Sequence, residues 1–307
     1  MIENEPAYYK HFVLFCLILL SCHCFGQDNK DSTLVADSLQ PWKFKSLTTI
    51  TFAQTTYKYW AQGGENSLSA IANTKIIAKY KKNNIYWDNI FEATYGISKQ
   101  GDKNLIKTDD KFEFTTNYAF RASDSWNYNM LINLKSQFRP GYKYPNDSTV
   151  VSDFFSPAYL ITSLGLEYKR KNYFFIFSVL TGKTTFVTNT LLSDAGNYGV
   201  DKGKKIKAAV GSYVKFVFRK EVISNVELNN KLELFSEYFN KPQNIDVNWE
   251  VVLKMKINKF MSALINTNLI YDYDTKTVIK DSNGVVISND AKVQFKETFG
   301  LGFTLNI

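Results

Sequence analysis

The stretches KFEFTTNYAFR (residues 111–121) and WNYNMLINLKSQFR (residues 126–139) decide how this chain folds. In the first, Phe112, Phe114, Thr116, Tyr118 and Phe120 alternate with Lys111, Glu113, Thr115, Asn117 and Arg121. In the second, Trp126, Tyr128, Met130, Ile132, Leu134 and Phe138 alternate with Asn127, Asn129, Asn133, Lys135, Gln137 and Arg139. Successive strand side chains point to opposite faces, so each stretch has one apolar, aromatic face and one charged face. A helical period would scramble both. Residues 85–97 repeat the pattern, with Ile85, Trp87, Phe91, Ala93, Tyr95 and Ile97 opposing Asp88, Glu92 and Thr94.

The same period continues outward in both directions, from about Leu47 to the last residue. It predicts strands near 47–57, 67–80, 85–98, 108–121, 126–139, 157–168, 173–187, 205–219, 226–239, 246–257, 260–271 and 292–307. These segments are longer than the strands of ordinary globular proteins. Short polar links (81–84, 122–125, 169–172, 220–225 and 258–259) follow the even-numbered strands. The other links, such as 140–156, 188–204 and 272–291, are mostly longer. Beyond the first 26 residues, the prolines Pro41, Pro140, Pro145, Pro157 and Pro242 fall in the tail, in loops or at a strand start, where no ladder donor is lost. Aromatics mark both strand ends: Tyr80 with Trp87, Phe120 with Trp126 and Tyr168 with Tyr173 beside short links, and Tyr95, Phe112, Phe138 and Trp249 towards the long ones. The fold class expected is all-β: a closed antiparallel up-and-down transmembrane β-barrel of about twelve strands, with tight periplasmic turns and larger external loops. The competing soluble β-sandwich accounts neither for the alternating links nor for aromatic girdles at both ends.

Composition fits this reading without requiring it. The chain of 307 residues is 45% hydrophobic and 21% charged, with mean hydropathy -0.24. A helical membrane protein would be far more apolar, whereas a barrel strand alternates lipid-facing and polar residues and averages out. Residues 1–26 read as a signal peptide: Lys10 and His11, the apolar run Phe12–Leu20, then small residues up to a cleavage site after Gly26. That run is too short to span a bilayer as a helix. A second reading makes Leu19-Leu20-Ser21-Cys22 a lipoprotein signal with Cys22 lipidated. Residues 27–44 then form a polar periplasmic tail and 45–307 the barrel, placing the protein in the outer membrane.

All three cysteines (Cys16, Cys22, Cys24) and both histidines (His11, His23) lie in the leader. The mature chain thus has no thiolate or imidazole chemistry, no disulfide and no imidazole metal site. No cofactor or metal is expected. Loss of one Lys and two Glu with the leader raises the formal net charge from +8 to +9. The excess is spread along the strands among acids, unlike the concentrated stripe of a nucleic-acid binder, and no nucleic-acid partner is expected. The terminal strand ends Gly302-Phe-Thr-Leu-Asn-Ile307, with Phe299, Leu301, Phe303, Leu305 and Ile307 alternating. It looks like the C-terminal strand signal read by the barrel-assembly machinery.

Several segments together resemble one family: Trp60–Ser67 (WAQGGENS), Lys107–Lys111 (KTDDK), Pro140–Pro145 (PGYKYP), Leu192–Gly196 (LSDAG) and Pro242–Glu250 (PQNIDVNWE). From about Phe44 to Ile307 the chain is similar to the outer-membrane β-barrel proteins grouped as domain of unknown function 3078. The resemblance implies a barrel and a location, and no activity.

Two sets of residues are candidates for function. On the inward face the alternation puts Asp88, Glu92, Lys111, Glu113, Arg121, Lys135, Arg139, Lys215, Arg219, Lys231, Glu233 and Glu250, with Glu227, Glu237 and Lys254. They either line a pore for small solutes or fill a closed interior as an ion-pair network; twelve strands lie between the packed and channel-forming sizes. In the external loops, Glu65, Asn66, Asp109, Asp110, Asp153 and Asp194 are oxygen-bearing candidates for a cation, without the spacing of a known calcium loop. Catalysis would have to rest on carboxylates alone, and Asp109 and Asp110 point to opposite faces of a strand. The expectation is a non-enzymatic barrel, pore or binding scaffold; the alternative is a surface enzyme acting on lipid or polysaccharide. Membrane lipid, the assembly machinery and a small solute are the expected partners.

Overall fold

The computed structural model describes residues 40–55, 66–144, 148–280 and 286–306. The leader, residues 27–39, Glu65 and Ile307 lie outside the described residues. The main ladder consists of β1 (Trp42–Thr55), β2 (Ser67–Lys82), β3 (Ile85–Gln100), β4 (Ile106–Arg121) and β5 (Trp126–Ser136). It continues through β8 (Ala158–Lys169), β9 (Tyr173–Phe186), β10 (Ile206–Ile223), β11 (Val226–Glu237), β12 (Asp246–Lys256), β13 (Met261–Tyr271) and β16 (Gln294–Asn306). Each pairs antiparallel with its neighbour in the chain, and β16 pairs with β1 to close a 12-stranded barrel. Closure leaves no open sheet edge.

Alternation fixes the register. On β4 and β5 the pairs Glu113↔Lys135, Asn117↔Leu131 and Arg121↔Asn127 face the lumen. Phe114, Tyr118, Phe120, Tyr128 and Met130 on the same strands are exposed outside. The turns at one end are as tight as backbone geometry allows. Lys82 pairs with Ile85 and Ile223 with Val226, leaving two-residue turns whose Asn83 and Asn225 take the left-handed conformation (φ 52° and 65°). Asn tolerates that region and is favoured in such hairpins. The strands thus run deeper into the links 81–84 and 220–225 than periodicity placed them.

Three findings depart from the sequence reading. The link 101–105 between β3 and β4 is short, so short and long links do not alternate strictly. β1 starts at Trp42, five residues before Leu47. Trp42 earns its place by packing on Tyr80 and Trp87, with ring centroids 5.1 and 5.5 Å away. The long links also carry structure of their own: the small pair β6 (Gly141–Tyr142) and β7 (Val150–Ser152), the hairpin β14 (Lys276–Lys280) and β15 (Val286–Ala291), and a single helical turn α1 (Thr190–Asp194).

β9 holds an irregularity. Leu164 faces Leu180 while Leu166 faces Phe177, and Gly211 faces Thr181 while Tyr213 faces Ser178. One extra residue on β9 is therefore bulged against both neighbours, which sharpens the local twist. The backbone groups it displaces find side-chain partners. Ser178 Oγ lies 2.6 Å from Leu164 O and 2.9 Å from Leu180 O, and Tyr238 donates its hydroxyl to Val179 O at 2.7 Å.

Candidate functional site

The inward face is the candidate site, and its charges are arranged in layers. At mid-height, Glu113 on β4 and Glu233 on β11 are buried (4% and 5% exposed). They stand on nearly opposite walls, and lysines join them across the lumen. Lys135 on β5 pairs with Glu233 and lies 3.6 Å from Glu113; Lys231 on β11 reaches Glu113 at 3.5 Å and Glu250 at 3.2 Å. Lys111 and Lys215 complete the cluster, 2.9 Å from Glu113 and 3.2 Å from Glu233. Neutral donors take up remaining lone pairs: Asn133 to Glu113 at 2.8 Å, and Asn248 and Tyr213 to Glu233, both at 2.9 Å. Glu92 and Glu113 stand directly opposite each other on β3 and β4. Lys75 relieves that like-charge contact by pairing with Glu92.

Towards the tight turns lies a neutral layer with one acid. Glu167 is fully buried and accepts from the amides of Asn117 and Asn127, while Asn129 donates to Asn117. Nearer that mouth Asp88 lies 3.3 Å from Lys169 and 4.0 Å from Lys79. Towards the long loops a third layer crosses the lumen. Lys183 on β9 pairs with Asp246 at 2.6 Å and Asp272 at 3.3 Å, and Lys207 reaches Asp274 at 2.6 Å.

The structure puts Asp88, Glu92, Lys111, Glu113, Lys135, Lys215, Lys231, Glu233 and Glu250 on the lumen wall. Arg121 and Arg219 sit at the tight-turn mouth, paired with Asp124 at 2.7 Å and Glu227 at 3.4 Å. Arg139 is a correction: β5 ends at Ser136, alternation stops there, and Arg139 reaches Tyr95 outside the wall, not the lumen.

The external-loop candidates do not converge. Asp109 and Asp110 lie within β4, not in a loop, because that strand begins at Ile106. Asp109 turns inward to Lys296. Asp110 turns outward and accepts from the backbone N–H of Phe138 and Arg139, each at 2.8 Å, and from Lys107 at 2.8 Å. Asp153 accepts from Asn189 at 2.9 Å, which ties two loops together, and Asp194 closes α1. Asn66 accepts from the Gly101 N–H through its backbone. Among the described residues no three His, Cys, Asp or Glu side chains are grouped to hold a metal ion. The sequence reading passed over Lys75, Glu167, Lys183, Asp246 and Asp272. Period-2 alternation assigns Lys75, Glu167 and Asp246 to the inward face, and the β9 bulge turns Lys183 inward as well; Lys75 meets Glu92 on the neighbouring strand, whereas Lys183 meets Asp246 and Asp272 on distant ones.

The model of the family described as protein of unknown function (DUF3078) matches residues 52–142. The matched span holds the Trp60–Ser67 and Lys107–Lys111 segments; Leu192–Gly196 and Pro242–Glu250 lie beyond it. No curated protein sequence matches the chain significantly. Three solved structures align with the chain at low identity. The translocator domain of the autotransporter NalP from Neisseria meningitidis is 9% identical, with 97% of this chain and 96% of that one aligned at a TM-score of 0.35. For the NanC porin the values are 12%, 84%, 100% and 0.35. Outer membrane phospholipase A from Escherichia coli gives 11%, 86%, 97% and 0.35.

Proposed function

We propose that the protein is a non-enzymatic β-barrel of the outer membrane that passes small polar solutes through a lumen narrowed from one side. The observation that carries this reading is the contrast between the two halves of the lumen. From β4 round to β11, inward residues such as Asn133, Ser163, Glu167, Thr181 and Glu233 are buried beneath cross-lumen pairs. From β13 through β16 and β1 to β2, the inward residues Thr49, Thr51, Asn73, Asn266 and Asn268 are small and neutral and remain half-exposed. Ser262 Oγ and Asn266 Oδ1 on this wall are buried with no hydrogen-bond partner among the described residues, as are Asn129 Oδ1, Ser163 Oγ and Asn229 Oδ1 on the packed one. Buried polar atoms of this kind call for water, and a half-exposed wall beside a packed one leaves an eccentric passage. Lys296 and Asp109 form a latch over its long-loop end.

Membrane insertion rests on the outer face. Phe114, Met130, Leu164, Val179, Phe299 and Leu301 are exposed there as a broad apolar surface, larger than a soluble monomer tolerates. Trp126 and Tyr168 make a tilted ring contact at 5.1 Å beside one tight turn, and Tyr173 and Phe218 another at 5.1 Å beside the next, as interfacial girdles do. On this reading the leader exports the chain, β16 presents the assembly signal, and lipid covers the barrel.

Reconstitution into planar bilayers tests the pore directly. A steady conductance smaller than that of a wide porin is expected. No stable conductance across several reconstitutions of folded protein would favour the second reading, a scaffold for the external loops. That reading has its own support: Val187, Leu192 and Val200 form a small core with Val150 and Tyr198 packed on it. A surface enzyme relying on carboxylates is disfavoured, since Asp109 and Asp110 face apart and the lumen acids are each held by amines or amides.

A further inference from the structure

The inward face at the tight-turn end of the half-exposed wall is cationic, with more amines than carboxylates: Glu227 of β11 is the acid opposite Lys254. Lys43 and Lys45 on β1 stand opposite Lys79 and Ile77 of β2. Lys254 and Lys256 on β12 stand opposite Leu264 and Ser262 of β13. Between them, β13 and β16 contribute only uncharged residues such as Ser262, Gly300 and Gly302. Elsewhere in the lumen each acid has a basic or amide partner, and the acids nearest this arc are engaged: Asp88 by Lys169 and Glu227 by Arg219. Among the described residues no acid forms an ion pair with Lys43, Lys45, Lys254 or Lys256. Two strands, β16 and β13, separate the β1 lysines from those of β12.

Among the described residues Glu227 is the one acid paired across the ladder from any of the four, and it also serves Arg219. The amines thus outnumber their counter-charges, which is electrostatically costly to the fold and makes the arc a standing attractor for anions. Rings of Lys or Arg select anions in pores by this means, the low-dielectric wall focusing their field into the opening. We propose that Lys43, Lys45, Lys254 and Lys256 form the anion-selecting element of the passage, so that small anions are the solutes it favours. This rests on the pore reading above.

The test is the reversal potential of single channels under a KCl gradient, compared between the wild type and a variant with all four lysines changed to Gln. Heat-modifiable gel migration establishes that each preparation is folded. The wild type should show the sign of chloride preference, the Gln variant should shift to zero or past it, and a Lys→Arg variant should keep the wild-type sign. A conducting Gln variant with an unchanged reversal potential overturns the proposal while leaving the pore intact. If neither protein conducts, the pore reading fails, and calorimetric titration with inorganic pyrophosphate reads the arc by itself. Binding lost in the Gln variant and kept in the Arg variant upholds the anion site; equal binding to all three removes it.

Discussion

Glu233 and Glu113 each hold more than one lysine, so removing either carboxylate strands several buried amines. Breaking a buried ion pair from one side typically costs about 3–5 kcal/mol. Glu233→Gln should therefore lower the urea midpoint of unfolding markedly. Replacing Glu233 by Leu together with Lys135 by Met should cost less, since Lys135 no longer loses its partner, although Lys215 still does. An equal loss in the single and double variants would show that the pair is not coupled. Arg121→Ala tests the opposite limit: its partner Asp124 is exposed, and such pairs are worth about 0–1 kcal/mol. The inward face of these residues was legible from alternation within one strand. Their partners were not, because Lys135 and Glu233 are brought together only by closure of the whole barrel. Arg139 failed for a related reason: an alternating sequence can run past the end of a strand, and nothing local announces the last ladder pair.

At the scale of the element, the β9 bulge depends on a neighbour with no side chain. A Cβ on Gly165 would stand 2.3 Å from Phe177 O and 2.8 Å from Ser178 Cα, so neither can yield without moving the strand. Gly165→Val should cost at least the ~1–3 kcal/mol of an overpacked site and reduce the yield of heat-modifiable barrel. Wild-type yield and midpoint would contradict the bulge geometry. The loop 187–205 offers a different handle. Burial pushes the Tyr198 phenol up to about 12, from the ordinary value of about 10, and its hydroxyl donates to Val151 O. A raised pKa favours the neutral form, so the loop's support is whole below about pH 10 and fades as pH climbs towards about 12. Protease sensitivity of this loop should rise over that window in the wild type, and Tyr198→Phe should remove the rise. An identical alkaline profile in both proteins would rule Tyr198 out as its origin. Neither the bulge nor α1 was foreseeable from pattern, since one extra residue and one helical turn are too short to set a period. Trp42 was missed because KFK after a proline resembles a charged tail; its ring contacts with Tyr80 and Trp87 give it a strand.

For the whole molecule, strand number, order and direction were readable because the period persists along the chain and the links punctuate it. What fills the lumen was not, since that depends on which walls face each other. Closure itself is testable. Removing residues 294–306 leaves β1 and β13 each with one open edge, and the shortened chain should give no heat-modifiable band; a resistant band would mean that β1 and β13 can pair directly. The seam has a further consequence. Every other junction of the wall joins strands that are neighbours in the chain, whereas β1 and β16 meet from opposite ends of the barrel sequence, over Leu47↔Asn306 to Phe52↔Leu301. Hairpins can zip as soon as their two arms exist, but this junction must wait until β16 has been made. A wall not yet closed has two raw edges, each a template for any stray strand it meets, and this one junction removes both at once.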